Sequence, residues 1–176
     1  MADAAPTLAQ ALHDAQQRGL PRVDAQLLLA HLLERPRTWL LAHDDHGLTP
    51  EQQRHWQTLL QRRLDHEPLA YLTGEHEFYG LPLTITPAVL DPRPDTETLV
   101  DWALELLAAL PGQPRVVDLG TGSGAIALAL KAACPRAQVT AVDFSADALE
   151  VASGNGRRLG LNVDWRHGSW FEPLTG

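Results

Sequence analysis

The residues with the most chemical content form a single run, Asp118-Leu119-Gly120-Thr121-Gly122-Ser123-Gly124. Val116-Val117 precede its glycines and Ala125-Ile126-Ala127-Leu128 follow them, so the run reads as a buried strand, a glycine turn and the start of a helix. Glycines adopt backbone angles that other residues resist and let a ligand lie close to the main chain. The helix beyond turns its free N–H groups and positive dipole end toward whatever occupies the turn. A dinucleotide site would show Gly-x-Gly-x-x-Gly with a pyrophosphate at the helix start. Here the third glycine arrives one residue early, and the anionic Asp118 at the strand end is poorly placed for a diphosphate. It suits a nucleoside with a cationic or hydrogen-bond-donating end. Further along, Gln138-Val139-Thr140-Ala141-Val142-Asp143 is a second apolar strand ending in a carboxylate. That group can accept both hydroxyls of a ribose. It can also serve only to cap the helix that begins near Ser145.

Parallel strands must hold these residues at one edge. The pattern predicts strands at 115–119, 138–143 and 162–167, with helices at 122–133 and 145–158 between them. Such alternation implies a parallel sheet with right-handed crossovers. Ligands of open α/β sheets bind at the carboxyl ends of the strands, where Gly120, Asp143 and the segment after Val163 lie. Upstream, residues 1–74 read as a small all-α bundle. Leu8, Ala11, Leu12 and Ala15 recur at helical spacing. Asp24 to Glu34 is apolar nearly all round, which marks a central helix. Thr38–His43 and Pro68–Leu72 make short helices. Thr49-Pro50-Glu51-Gln52 is a strong helix start for a segment reaching Asp65, with Trp56, Leu59, Leu60 and Leu64 inward. Residues 75–94 read as a linker: strands at 75–79 and 83–86 turning at Gly80-Leu81-Pro82, then an extended path set by Pro87, Pro92 and Pro94. Asp95 is the expected cap of a helix from Thr96 to Leu110. The third part is 95–176.

The chain has 176 residues, 44% of them hydrophobic, enough for a core and a smaller second unit. A net charge of −8 argues against direct nucleic-acid binding, whose footprint is basic. The start Met1-Ala2-Asp3-Ala4-Ala5-Pro6 lacks a basic segment leading into an apolar run, and no apolar stretch reaches bilayer length. These features point to a cytoplasmic location and no membrane partner. Cys134, alone of its kind, is expected to be a buried small apolar residue late in a helix. His43 and His46, beside Asp44 and Asp45, read as solvated turn residues, and no metal site is expected.

Asp-x-Gly-x-Gly-x-Gly resembles the first motif of class I S-adenosylmethionine-dependent methyltransferases, whose sulfonium cofactor carries the required amino group. A longer likeness lies upstream, in Leu90-Asp91-Pro92-Arg93-Pro94-Asp95-Thr96-Glu97, Glu67-Pro68-Leu69-Ala70-Tyr71-Leu72-Thr73-Gly74 and Glu77-Phe78. With these residues the chain is similar to the HemK/PrmC family, protein-(glutamine-N5) methyltransferases. The resemblance implies a helical domain that binds a class-1 peptide chain release factor, a β-hairpin linker and a Rossmann-like class I methyltransferase domain. It implies that S-adenosylmethionine rests on Gly120, Thr121, Gly122, Ser123 and Gly124, that Asp143 takes its ribose, and that Trp170 lies beside its adenine. Gly168-Ser169-Trp170-Phe171 is similar to the family's Asp-Trp-Phe, with Ser169 in place of the acid. Arg93, Thr96 and Glu97 are expected either at the mouth of the site or as helix-cap charges. Asp91 departs from the usual apolar residue and is expected to be harmless on an exposed turn.

The resemblance also implies amide acceptors from an Asn-Pro-Pro-Tyr motif after a fourth strand. The 176 residues contain no Asn-Pro pair, and Asn155 and Asn162 read as helix and turn positions. The expectation is an incomplete, C-terminally truncated methyltransferase sheet, no catalytic residue within this chain, and a chain inactive alone. An exposed sheet edge is expected to promote association. Three rivals stand beside this reading. A DNA adenine methyltransferase would share the glycine turn but lack the helical preface and be more basic. A nicotinamide-dependent oxidoreductase has the wrong glycine spacing. A non-catalytic cofactor- or release-factor-binding fragment would share every feature of the chain.

Overall fold

Helix starts in the first part of the chain are fixed by their caps. In the computed structural model, which describes residues 6–174, α1 (Leu8–Gln17) and α4 (Pro50–Leu64) open on capping boxes. Thr7 and Thr49 each accept the backbone N–H of the glutamine three residues on, while Gln10 and Gln52 reach back to the cap N–H. Two orphan donors are thereby satisfied at each end. The Thr49 cap is the expected one; the box at Thr7 went unread. Between these helices lie α2 (Arg22–Leu33) and α3 (Arg37–Ala42), with α5 (Leu69–Thr73) last. Residues 1–5, including the start discussed above, lie outside the described residues.

The chain divides after Thr73 into two compact units. In the first, α2 packs against α1, α3, α4 and α5, so the helix that is apolar nearly all round is the central one. Leu8, Leu28, Leu29, Leu40, Trp56 and Leu60 form the heart of its core. Leu64, expected inward, is only partly buried. Asp24 on α2 accepts from Arg63 on α4 at 2.9 Å across the core's rim. The segment around His43 and His46 has a use the sequence did not reveal. The carbonyls of Asp44 and His46 accept the N–H groups of Ala9 and Leu8, which closes the first turn of α1. His43 itself is stacked on Trp39 with ring centroids 4.3 Å apart.

The second unit begins with an antiparallel hairpin, β1 (Glu75–Phe78) and β2 (Leu81–Thr84). Its turn lies at Tyr79-Gly80, beginning one residue before the expected turn, and the second strand starts two residues early. The reason is backbone conformation: Tyr79 and Gly80 both take positive φ (51° and 74°), as a two-residue hairpin turn requires, and Pro82 sits within the second strand. Helix α6 (Asp95–Ala109) follows. Asp95 is not its cap. Pro94 occupies that position with helical angles and no side-chain cap bond, and Asp95 is already the first helical residue. Asp91 is buried rather than exposed, its Oδ1 lying 2.7 Å from Nδ1 of His76 on β1. The angle of that contact falls outside hydrogen-bond geometry, so Oδ1 has a close neighbour and no aligned donor.

The rest is β3 (Arg115–Leu119), α7 (Ala125–Ala133), β4 (Gln138–Asp143), α8 (Ala146–Leu159) and β5 (Asp164–His167), ending in a 3₁₀ turn at Glu172–Leu174. The sheet is parallel in the order β3-β4-β5, with Leu119 opposite Val142 and Asp143 opposite His167. β3 is an edge strand, and Val117 on it is exposed. Helix α7 starts three residues later than expected, because Gly122 (φ 55°) and Gly124 (φ 82°) are left-handed and belong to the turn. β5 starts two residues later than expected. Cys134 ends α7 rather than lying within it, and is half-buried and free rather than buried.

Candidate cofactor site

The glycine turn joins the tip of β3 to the start of α7, and β4 holds it by main-chain bonds. The N–H groups of Gly120 and Thr121 both donate to the Val142 carbonyl, at 2.8 and 3.0 Å. The side chain at the tip of β4 completes the grip. Asp143 Oδ2 accepts the Gly122 N–H at 2.8 Å, and Oδ1 accepts the Ser145 N–H at 2.9 Å. Ser145 in turn caps α8 by accepting from Ala148. One carboxylate thus braces both the turn and the start of the next helix. Each of its oxygens retains a second lone pair for a ligand hydroxyl.

Within the turn the residues separate into two kinds. Thr121 and Ser123 are buried. The Thr121 hydroxyl donates to Asp118 Oδ2 at 2.6 Å, and the Ser123 carbonyl is taken by Asn155. A Cβ on Gly124 would come within 3.0 Å of the Trp165 ring and 3.2 Å of Ala152 and Leu128, so this glycine serves helix packing. Gly120 and Gly122 differ: a Cβ on either would meet nothing within 4 Å. Bare main chain therefore faces open space at these two positions, as a ligand resting on the turn requires.

Asp118 does not project as a free anion. Burial raises its pKa above the ordinary carboxylate range; the Thr121 hydroxyl and a bond from the Ala127 backbone draw it partly back, and the charge on Asp143 adds to the rise. Its bonds place it as a brace for the turn and for the first turn of α7.

A recess of about 170 Å³ lies at the strand tips, lined by Gly120, Asp143, Phe144, Gly168, Ser169 and Trp170 among others. Ligand pockets typically measure about 300–1,000 Å³, so this volume accommodates one end of a nucleoside. Trp170 (71% exposed) and Phe144 (78% exposed) offer aromatic surface at its rim. Trp170 takes φ 50°, held on a turn after Gly168, whose N–H donates to the Asp143 carbonyl at 3.0 Å. Phe144 leans on His167, whose Nε2 is 2.9 Å from the Phe144 carbonyl. The sequence reading missed Phe144; its signal was an aromatic residue directly after the acid at a strand end. Of the expected set, then, Gly120, Asp143 and Trp170 line one recess and Gly122 borders the same turn. Thr121, Ser123 and Gly124 are turned into the protein. Among the described residues, no group of three or more His, Cys, Asp or Glu side chains gathers as a metal site.

Glu97 faces the hairpin, its Oε1 accepting the Tyr79 N–H at 2.9 Å, while the Tyr79 hydroxyl donates to Asp101 at 2.7 Å. These two acids on α6 hold the strained hairpin turn. A larger recess, about 550 Å³, opens around the starts of the strands and is lined by Arg115, Lys131, Arg136 and Arg166. It lies at the end of the sheet away from the glycine turn.

Residues 6–74 match a family described as the PrmC N-terminal domain, and residues 116–174 match one described as a methyltransferase domain. The chain is 53% identical over 156 residues to a release factor glutamine methyltransferase of Bordetella pertussis, covering 89% of this chain and 57% of that protein. Over most of its length the chain is thus similar to members of the HemK/PrmC family. Proteins of the same description from Aliivibrio fischeri (46% identity; 88% of this chain, 54% of that one) and Escherichia coli K12 (47%; 96% and 61%) are similarly related. The chain therefore spans between 54% and 61% of the lengths of these relatives. No helix among the described residues is long and apolar enough to cross a membrane.

Proposed function

We propose that this chain forms the helical unit and the cofactor-binding start of a cytoplasmic enzyme that methylates the side-chain amide nitrogen of the glutamine in the Gly-Gly-Gln loop of a class-1 peptide chain release factor. The helical unit up to residue 74 is the release-factor-binding part, residues 75–94 the linker, and residues 95–176 the start of the methyltransferase part. The observation that carries the reading is the bare main chain of Gly120 and Gly122 beside the Asp143 carboxylate, in a chain related to release factor glutamine methyltransferases over nearly its whole length.

S-adenosylmethionine, when bound, supplies an electrophilic methyl group on a sulfonium that departs as a neutral sulfide. The chain's part is to seat that nucleoside. Asp143 accepts the ribose hydroxyls with its remaining lone pairs, and Gly120 and Gly122 leave room for the amino-acid tail. Trp170 and Phe144 cover the adenine with apolar surface. Asp118 and Thr121 keep the turn in shape. An amide nitrogen is a weak nucleophile because its lone pair is delocalised into the carbonyl. Transfer to it requires acceptors for its N–H groups and in-line placement, which can lower a barrier by roughly 7–11 kcal/mol.

The 176 residues hold no Asn-Pro pair, the acceptor set that the resemblance calls for. This chain alone is therefore expected to bind cofactor without turning it over. Incubation with methyl-labelled S-adenosylmethionine and a release factor tests both halves: the relatives of full length label the glutamine, and this chain does not. Labelling by this chain at an enzyme-like rate would refute its inactivity. Absence of any S-adenosylhomocysteine binding by a full-length protein carrying these residues would refute the site.

A further inference from the structure

Asn155 lies inside α8, 1% exposed, and every hydrogen-bonding position of its amide is used. Its Nδ2 donates to the Thr84 carbonyl and to the Ser123 carbonyl, each at 3.0 Å. Its Oδ1 accepts the Thr84 N–H at 2.7 Å and a guanidinium N–H of Arg158 at 3.1 Å. Thr84 is the last residue of β2, and Ser123 stands in the middle of the glycine turn. One primary amide therefore pairs with both main-chain groups of the hairpin strand, as a neighbouring strand would, and with the turn as well. Arg158 strengthens the hairpin side by donating to the Pro82 carbonyl as well.

No shorter or differently charged side chain can copy this pattern. It needs two donors on one atom and an acceptor on the next, all desolvated. A buried carbonyl that loses its donor costs roughly 1–3 kcal/mol. Ser123 would be left with such a carbonyl if the Asn155 amide were removed, and the part-buried Thr84 carbonyl would lose this donor as well. Elsewhere the glycine turn is held by the sheet itself, through Val142 and Asp143. Asn155 is the link that ties it to the hairpin.

We propose that Asn155 is a positioning residue that locks the β1–β2 hairpin to the glycine turn, so that a ligand seated on the turn is registered in the hairpin and movement of the hairpin is registered in the turn. The ligand half of this statement rests on reading that turn as the S-adenosylmethionine site. The joint itself rests on the hydrogen bonds alone. It gives the linker a function beyond spacing: occupancy of the cofactor site and the conformation of the hairpin become a single coupled variable.

Amide hydrogen exchange, residue by residue, tests the joint in the present chain without any ligand. In N155D the amide donors are lost and a carboxylate oxygen faces two carbonyls. Exchange at Thr84 and at Gly124 should both accelerate by about tenfold, while α6 amides keep their wild-type rates. Acceleration at Thr84 with no change at Gly124 would overturn the proposal. N155S removes the same donors with no added charge and is judged by the same two amides should N155D not fold. The wild type supplies a further reading in dilute denaturant: a common opening for Thr84 and Gly124 supports the joint, and separate openings overturn it. S-adenosylhomocysteine is then added to the wild type. Slower exchange at Thr84 as well as in the turn supports the coupling, and protection confined to the turn refutes it. Failure of S-adenosylhomocysteine to bind refutes the cofactor reading and, with it, the ligand half of the proposal; the joint is still decided by the ligand-free rates.

Discussion

Asp143 and Gly122 are joined by a 2.8 Å hydrogen bond from the glycine amide to the carboxylate Oδ2, so the tip of β4 holds the turn that leaves β3. The residue expected to grip a ribose is therefore also a structural brace. The proposed ribose contact would use the lone pairs that Gly122 and Ser145 leave on the same oxygens.

Replacing Asp143 should accordingly do two things at once. D143A removes acceptors from Gly122 and Ser145, and with them the proposed contact to the cofactor's sugar. Hydrogen bonds to charged groups contribute roughly 1.5–3 kcal/mol, so affinity for S-adenosylhomocysteine should fall on the order of 10–100-fold. D143N keeps one acceptor and should fall between. Titration calorimetry on the three proteins measures the order.

Gly120 and Gly124 should respond oppositely to alanine. G124A forces a Cβ against Trp165, Ala152 and Leu128 at φ 82° and should lower stability by about 1–3 kcal/mol. G120A meets no protein atom and bears only the left-handed backbone strain, about 1–2 kcal/mol, yet places a methyl where the ligand is proposed to rest. Urea unfolding together with ligand titration separates the cases. A larger affinity loss relative to stability loss is expected for G120A than for G124A.

Asp118 should give the fold a pH dependence of unusual sign. Its pKa is raised in the folded state, chiefly by burial, so between the ordinary aspartate value, near pH 4, and the raised one the native protein holds more protons than the unfolded chain. Its contribution to stability is complete at low pH and declines as pH rises through that window. D118N keeps an acceptor for Thr121 but does not ionise. The stability of D118N relative to wild type should therefore increase with pH across the window and then level off, as denaturant unfolding at several pH values would show.

His76 and Asp91 should behave as a unit. H76A removes the side chain that lies 2.7 Å from the buried Asp91 carboxylate and should lower stability. The double variant H76A/D91L removes the stranded charge as well and should recover part of that loss. Thermal unfolding of the single and double variants measures the coupling.

Much of the fold was legible because its signals are local. The capping box at Thr49, the apolar girth of residues 24–34 and the alternation from Arg115 to His167 each predict an element from its own residues. The turn Asp118–Gly124 was legible for the same reason, since glycines at that spacing permit few backbone paths. The errors fell where a boundary depends on a backbone angle that composition does not show. The hairpin turn went to Tyr79-Gly80 because Tyr79 accepts positive φ when Glu97 holds its amide. Helix α6 began at Asp95 because Pro94 already has helical angles.

Asn155 was invisible for a deeper reason. At its position in α8 it shares the inward face with Ala148 and Ala152, whereas the sequence assigned it only a place in a helix. Its partners, Thr84 and Ser123, are far away in sequence, so nothing in the neighbouring residues indicates what the amide is for.

The sequence by itself determined the strand-turn-helix order, the glycine pattern and the two acids at the strand ends, because each arises from interactions among residues close along the chain. Tertiary structure alone decided which lone pairs of Asp143 stay available, which glycines face open space and which amide ties the hairpin to the turn. Those outcomes depend on directional contacts between segments brought together by folding, and hydrogen bonds of about 3 Å leave no trace in the order of residues.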